Sequence, residues 1–146
     1  MQAVVGKLEL VLSGLTAGKH TLGTYHNTFA AAKPTRFTVE VQRASVAVTP
    51  SNCVKHDSDA ASAYVEFTAE EGKDVVVVFT PELDGSVILN GFELDRSDPA
   101  KRAARPIPFD DDEHASETPT LSWRAPSGAT AYLVYLGTNA EKVASE

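Results

Sequence analysis

Within the run Tyr25-His26-Asn27-Thr28-Phe29, two aromatic rings, an imidazole and an amide occupy five positions. A flat ring can lie against a C–H face, while amide and imidazole groups donate and accept hydrogen bonds around its edge. Together they suit a polyhydroxylated ring, which has an apolar face and a polar rim. Aromatic residues make up only 8% of the chain, so each ring carries more weight. Tyr25, His26, Asn27 and Phe29 are therefore candidate sugar-contacting residues on a loop that follows a strand. Each has a structural alternative: a ring can point into a core, and Asn27 can close a turn.

Other chemistry-bearing residues point less far. Cys53 is the single cysteine, which excludes an internal disulfide and a cysteine-based metal site, and it reads as a small packed apolar residue. His20, His56 and His114 lack metal-ligand spacing, and His56-Asp57-Ser58-Asp59 reads as a polar surface loop. Asp110-Asp111-Asp112-Glu113 reads as a solvated acidic run, with Ca²⁺ as the alternative, although the spacing of an EF-hand loop is missing. Glu93 and Asp95 could likewise hold a structural cation. No catalytic residues are assigned. Glycoside hydrolysis needs two acids at a defined separation, and the acids here fall on turns and on polar strand positions. A nucleophile elbow, a P-loop and a dinucleotide fingerprint are all missing.

The elements that would position these groups follow a period of two. Leu8, Leu10 and Leu12 alternate with Glu9 and Val11, and residues 13–18 read as a hairpin connection to a strand from His20 to Tyr25. Phe37, Val39 and Val41 alternate with polar residues, and Val46 and Val48 follow. Tyr64, Val65 and Phe67 form another strand, and after the turn at residues 70–73 the run Val75 to Phe79 suits a central strand. Val87 to Leu94 closes the set, with a bulge or tight bend at Asn90-Gly91. Short strands separated by turn residues, with no helical window, predict an all-β fold, an antiparallel β-sandwich.

At 146 residues the length suits about one domain, on a prior of roughly 100–200 residues each. Residues 98–106, rich in proline and charge, read as a linker between a sandwich over 1–97 and a segment over 107–146. The net charge of -7 is spread over both parts, with 12 acidic against 8 basic residues in 1–97 and 8 against 5 in 98–146. That spread argues against nucleic acid as partner, which needs clustered Lys and Arg. No apolar run approaches the ~20 residues of a membrane span, and Met1 opens into strand-like sequence with no leader pattern.

Pro119-Thr120-Leu121-Ser122-Trp123, followed by Ala129 to Thr138 with its Tyr132-Leu133-Val134-Tyr135 strand pattern, resembles the opening strands of a fibronectin type III-like domain. The variety it resembles is found in large secreted bacterial proteins that degrade polysaccharides. The resemblance implies a spacer module with Trp123 in its core, the alternative being Trp123 as a stacking platform. Residues 1–97, through Leu22 to Phe29, Phe37 to Val41, Val75 to Phe79 and Ile88 to Leu94, resemble the later part of a galactose-binding-like jelly roll, nearest to malectin-like domains. That resemblance implies sugar contacts from the Tyr25–Phe29 stretch and from Asp84, and a possible structural Ca²⁺. It implies a non-catalytic carbohydrate-binding module for an oligo- or polysaccharide, secreted, periplasmic or at the cell surface, joined to neighbouring domains of a larger chain. The alternatives are a structural spacer or protein-interaction sandwich without a sugar ligand, and an enzyme domain such as a glycoside hydrolase or lyase.

Overall fold

A computed structural model describes residues 2–29, 34–54, 59–83, 85–109, 112–126, 128–139 and 142–143. Asp84, and His56-Asp57-Ser58 with Asp110-Asp111, lie outside the described residues. The strands are β1 (Gln2–Val5), β2 (Leu8–Leu12), β3 (Gly18–Thr28), β4 (Phe37–Val41), β5 (Ala44–Val48), β6 (Ser51–Asn52), β7 (Ala61–Ala69), β8 (Val75–Pro81), β9 (Ser86–Leu89), β10 (Gly91–Leu94), β11 (Ala104–Ile107) and β12 (Ser122–Arg124). The fold is an all-β sandwich. One sheet runs β2-β8-β4-β5, and the other is built on β3, flanked by β7 and β10. All pairings are antiparallel except β6, which meets the end of β3 in parallel at Asn27 and Thr28.

The alternating residues set the core. Leu12, Phe37, Val39, Val41, Val48, Val75, Val77 and Phe79 come from the first sheet, and they meet Leu22, Ala63, Val65, Phe67 and Ala69 from the second. Phe37 and Phe79 are fully buried, and burying such a side chain contributes roughly 1.5–3 kcal/mol. Val75 to Phe79 lies in β8, a central strand between β2 and β4, as its composition suggests.

Five local expectations are revised or refined. Residues 13–17 are not a hairpin. They carry the chain from β2 in one sheet to β3 in the other, with Leu15 packed at the sandwich edge. Asn90-Gly91 marks a similar change of sheet, because β9 pairs with β1 while β10 pairs with β3. The stretch 98–106 is folded onto the sandwich. Asp98 caps a three-residue 3₁₀ turn, Pro99–Lys101, and Pro99 lies over Gly23, where an added Cβ would stand 3.3 Å from the proline Cγ. Residues 131–136 carry no strand and expose Leu133 and Leu136, whereas Trp123 lies in β12 and packs edge-on against Tyr132 at 5.5 Å. The segment is held elsewhere: Asp59, just before β7, pairs with both Arg105 of β11 and Arg124 of β12. Cys53 is exposed, not packed, with a left-handed backbone (φ 55°) where its N–H donates to the Thr28 carbonyl at 2.8 Å.

Candidate functional site

Strand β3 places the Tyr25–Phe29 stretch. The strand does not stop at Tyr25. β7 pairs with it as far as His26, and β6 takes over at Asn27 and Thr28, so most of the expected loop is strand. Period-two alternation then splits the stretch between two faces. His26 and Thr28 point inward, with Leu22 and Thr24. Tyr25 and Asn27 sit on the outer face with Gly23, and Phe29 follows in the same phase.

His26 is therefore a core residue and not a ligand contact. It is 0% exposed and packs edge-on against Phe37 at 4.9 Å. Its Nδ1–H donates to the Ile88 carbonyl at 2.6 Å, because a carbonyl can only accept. Its Nε2 then accepts from the Thr24 hydroxyl at 2.8 Å. Burial pushes its pKa down to about 4, so the ring is neutral near pH 7.

Tyr25, Asn27 and Phe29 line one cleft of about 1020 Å³ on the outer face of the β3 sheet. Its floor adds Ser62 of β7 and Gly91 and Glu93 of β10, and its far wall is Pro99, Ala100 and Arg102 to Ala104 with Arg124 to Pro126. Phe29 is 62% exposed and offers its ring to solvent. Tyr25 is half-buried, and its hydroxyl donates to Glu93 Oε2 at 2.8 Å. Burial first, then that carboxylate, raises the Tyr25 pKa, so the phenol stays protonated. Glu93 is held below the usual carboxylate range by the Tyr25 hydroxyl and then by Arg102, whose Nη1 lies 2.9 Å away.

Asn27 lines the cleft, but its side chain is committed to the neighbouring segment. Oδ1 accepts from Ser51 Oγ at 3.2 Å and from Val54 N at 3.3 Å, and Nδ2 donates to the Val54 carbonyl at 3.4 Å. Its backbone N–H donates to Asn90 Oδ1 at 2.6 Å. Asn27 thus fixes the residues around β6, close to the turn-closing role that its residue type allows.

Asn90, Glu93, Arg102 and Arg124 were not among the sugar contacts expected from sequence, and the structure places all four on the cleft. For Glu93 a signal existed: it stands opposite Gly23 in the β3–β10 register and so shares a face with Tyr25. The arginines lie far along the chain and carried no such signal.

Among the described residues no group of three or more His, Cys, Asp or Glu could hold a metal ion, so neither Glu93 with Asp95 nor Asp112 with Glu113 forms a described cation cluster. Asp95 instead accepts from His20 Nδ1 at 3.0 Å. Among the same residues no helix is long and apolar enough to cross a membrane. The chain matches no family model, no curated protein and no solved structure.

Proposed function

We propose that this chain is a non-catalytic carbohydrate-binding module whose site is the cleft over β3. The observation that carries the reading is the company in that cleft: an exposed Phe29 ring and a half-buried Tyr25 ring beside Asn90, Ser62, Glu93 and Arg102. Rings supply the stacking face, and amide, hydroxyl, carboxylate and guanidinium groups supply the rim that a sugar's hydroxyls require. The volume, about 1020 Å³, has room for more than one sugar unit. Glu93 is the only carboxylate among the described lining residues, whereas glycoside hydrolysis calls for a pair.

Binding at a single open cleft of this kind is weak, and modules repeated along a larger chain raise avidity. The malectin-like and fibronectin type III-like resemblances belong to this proposal, as does a secreted, periplasmic or cell-surface setting. A structural or protein-interaction role is the second reading, favoured by the exposed apolar run from Tyr132 to Leu136.

A glycan array probed with the full chain, with and without Ca²⁺, tests the first reading. Specific hits that Phe29→Ala abolishes and His26→Gln leaves in place are expected. A blank array from a well-folded chain refutes the sugar reading and leaves the interaction role.

A further inference from the structure

We propose that the cleft selects an anionic saccharide, one bearing carboxylate or sulfate groups, and that Arg102 and Arg124 read that charge. The inference rests on the sugar-binding reading above and adds the class of sugar.

The chain as a whole carries a net charge of -7, yet arginines converge on this cleft. Its described lining holds two guanidiniums, Arg102 and Arg124, against one carboxylate, Glu93. Just behind the lining, Arg105 shares Asp59 with Arg124, and Arg96 is near enough to act on Glu93. Among the described residues Glu93 pairs with Arg102 and Asp59 with Arg105 and Arg124, and Asp98 caps the 3₁₀ turn of the wall. These arginines come from the end of β10, the residue after the 3₁₀ turn, β11 and β12, so the docking of the later segment assembles the cluster.

The guanidiniums on the cleft are held and still half-open. Arg102 Nε and Nη2 donate to the Ser97 carbonyl at 3.0 and 2.6 Å, while Nη1 pairs with Glu93. Arg102 and Arg124 keep 34% and 44% of their side-chain surfaces exposed. A guanidinium fixed in plane has lost its rotamer freedom before ligand arrives, and its fork matches a carboxylate or sulfate in two-point geometry. A local excess of positive charge also raises the concentration of anions at the cleft mouth. Phe29 and Tyr25 then meet the sugar ring, and the arginines meet its charged substituent. Nucleic acid offers charge and stacking too, but it needs a basic track along a backbone, and this cleft on an acidic chain offers a spot.

The test uses the full chain against four probes: a polygalacturonate oligosaccharide, the same backbone fully methyl-esterified, a sulfated oligosaccharide and a single-stranded oligonucleotide. Titration calorimetry should give binding to the uronate or the sulfated probe, and none to the ester or the oligonucleotide. Arg102→Gln and Arg124→Gln should each weaken it about tenfold or more, the worth of one charge-assisted hydrogen bond. Arg102→Lys, which keeps charge but not the fork, should recover only part of the loss, and this separates recognition from misfolding. Arg43→Gln, in the β4–β5 turn, should change nothing. Raising salt from about 50 to 500 mM should weaken binding through screening. If neutral glycans on the wider array bind and the arginine variants bind them as well, charge selection is overturned while the sugar reading stands. If the oligonucleotide binds and no glycan does, or if nothing binds, both fall.

Discussion

Tyr25 and His26 are neighbours in the chain and face opposite sides of the same strand, so their substitutions should separate cleanly. Phe29→Ala removes a solvent-facing ring and should leave stability within about 0.5 kcal/mol of the parent. His26→Ala opens a cavity beside Phe37 and strips partners from the Thr24 hydroxyl and the Ile88 carbonyl, at a cost of about 2–4 kcal/mol in urea unfolding. The two described buried histidines also set opposite pH trends. His26 titrates at about 4 when folded against 6.5 unfolded, so the unfolded chain takes up a proton that the folded chain refuses. Its contribution is therefore lost as pH falls from 6.5 toward 4, by roughly 3 kcal/mol at the lower end. His20 behaves in reverse. Its Nε2 donates to the Thr16 carbonyl and its Nδ1 to Asp95, the first being the larger cause of a pKa raised above 6.5. That contribution is present below 6.5 and is lost as pH rises through the raised value. His26→Gln should flatten the acid-side slope of a stability–pH curve, and Asp95→Asn the slope above 6.5. The residue types at 25–29 were legible as binding chemistry from the sequence, but which of them could reach a ligand was not. Strand phase decides that, and His26 fell in the wrong phase once β7 and β6 had extended β3 past Tyr25.

At the level of elements, the cleft has a built floor and a docked wall. The floor is the outer face of β3, β7 and β10, rigid because β3 has partners along its length. The wall is the 3₁₀ turn with β11 and β12, and Asp59 joins it to the sandwich through Arg105 and Arg124. The Arg124 hydrogen bond, ahead of Arg105, lowers the Asp59 pKa. Asp59→Asn should therefore loosen the wall and spare the floor. In hydrogen exchange, amides of Ala104, Arg105, Ile107 and residues 122–125 should exchange faster while those of β4 and β8 keep their protection. Equal protection of β11 and β12 in parent and variant would mean that Asp59 does not hold the wall. Most strands were legible, because hydrophobic alternation at Leu8–Leu12, Phe37–Val41 and Val75–Phe79 leaves little choice of structure. The docking of 98–106 was not. Proline and charge read as a linker, and only the absence of a Cβ at Gly23, which lets Pro99 lie over the strand, hinted otherwise. The expected strand at 131–136 did not form because no neighbouring strand pairs with it among the described residues.

For the molecule as a whole, stability resides in the interface of the two sheets. Phe79, buried between Phe37 and the His26 ring, should be the costliest kind of truncation: Phe79→Ala is expected to lose about 3–5 kcal/mol in chemical denaturation. Tyr132→Ala, outside that core, should lose less than about 1 kcal/mol. The single tryptophan carries a practical consequence. Trp123 sits in β12 against Tyr132, away from the sandwich core. Intrinsic emission is therefore a reporter of the docked wall, while far-ultraviolet circular dichroism follows the sheets. Melting curves from the two signals should part company, emission moving first, and Asp59→Asn should widen the gap by shifting the optical midpoint of the fluorophore alone.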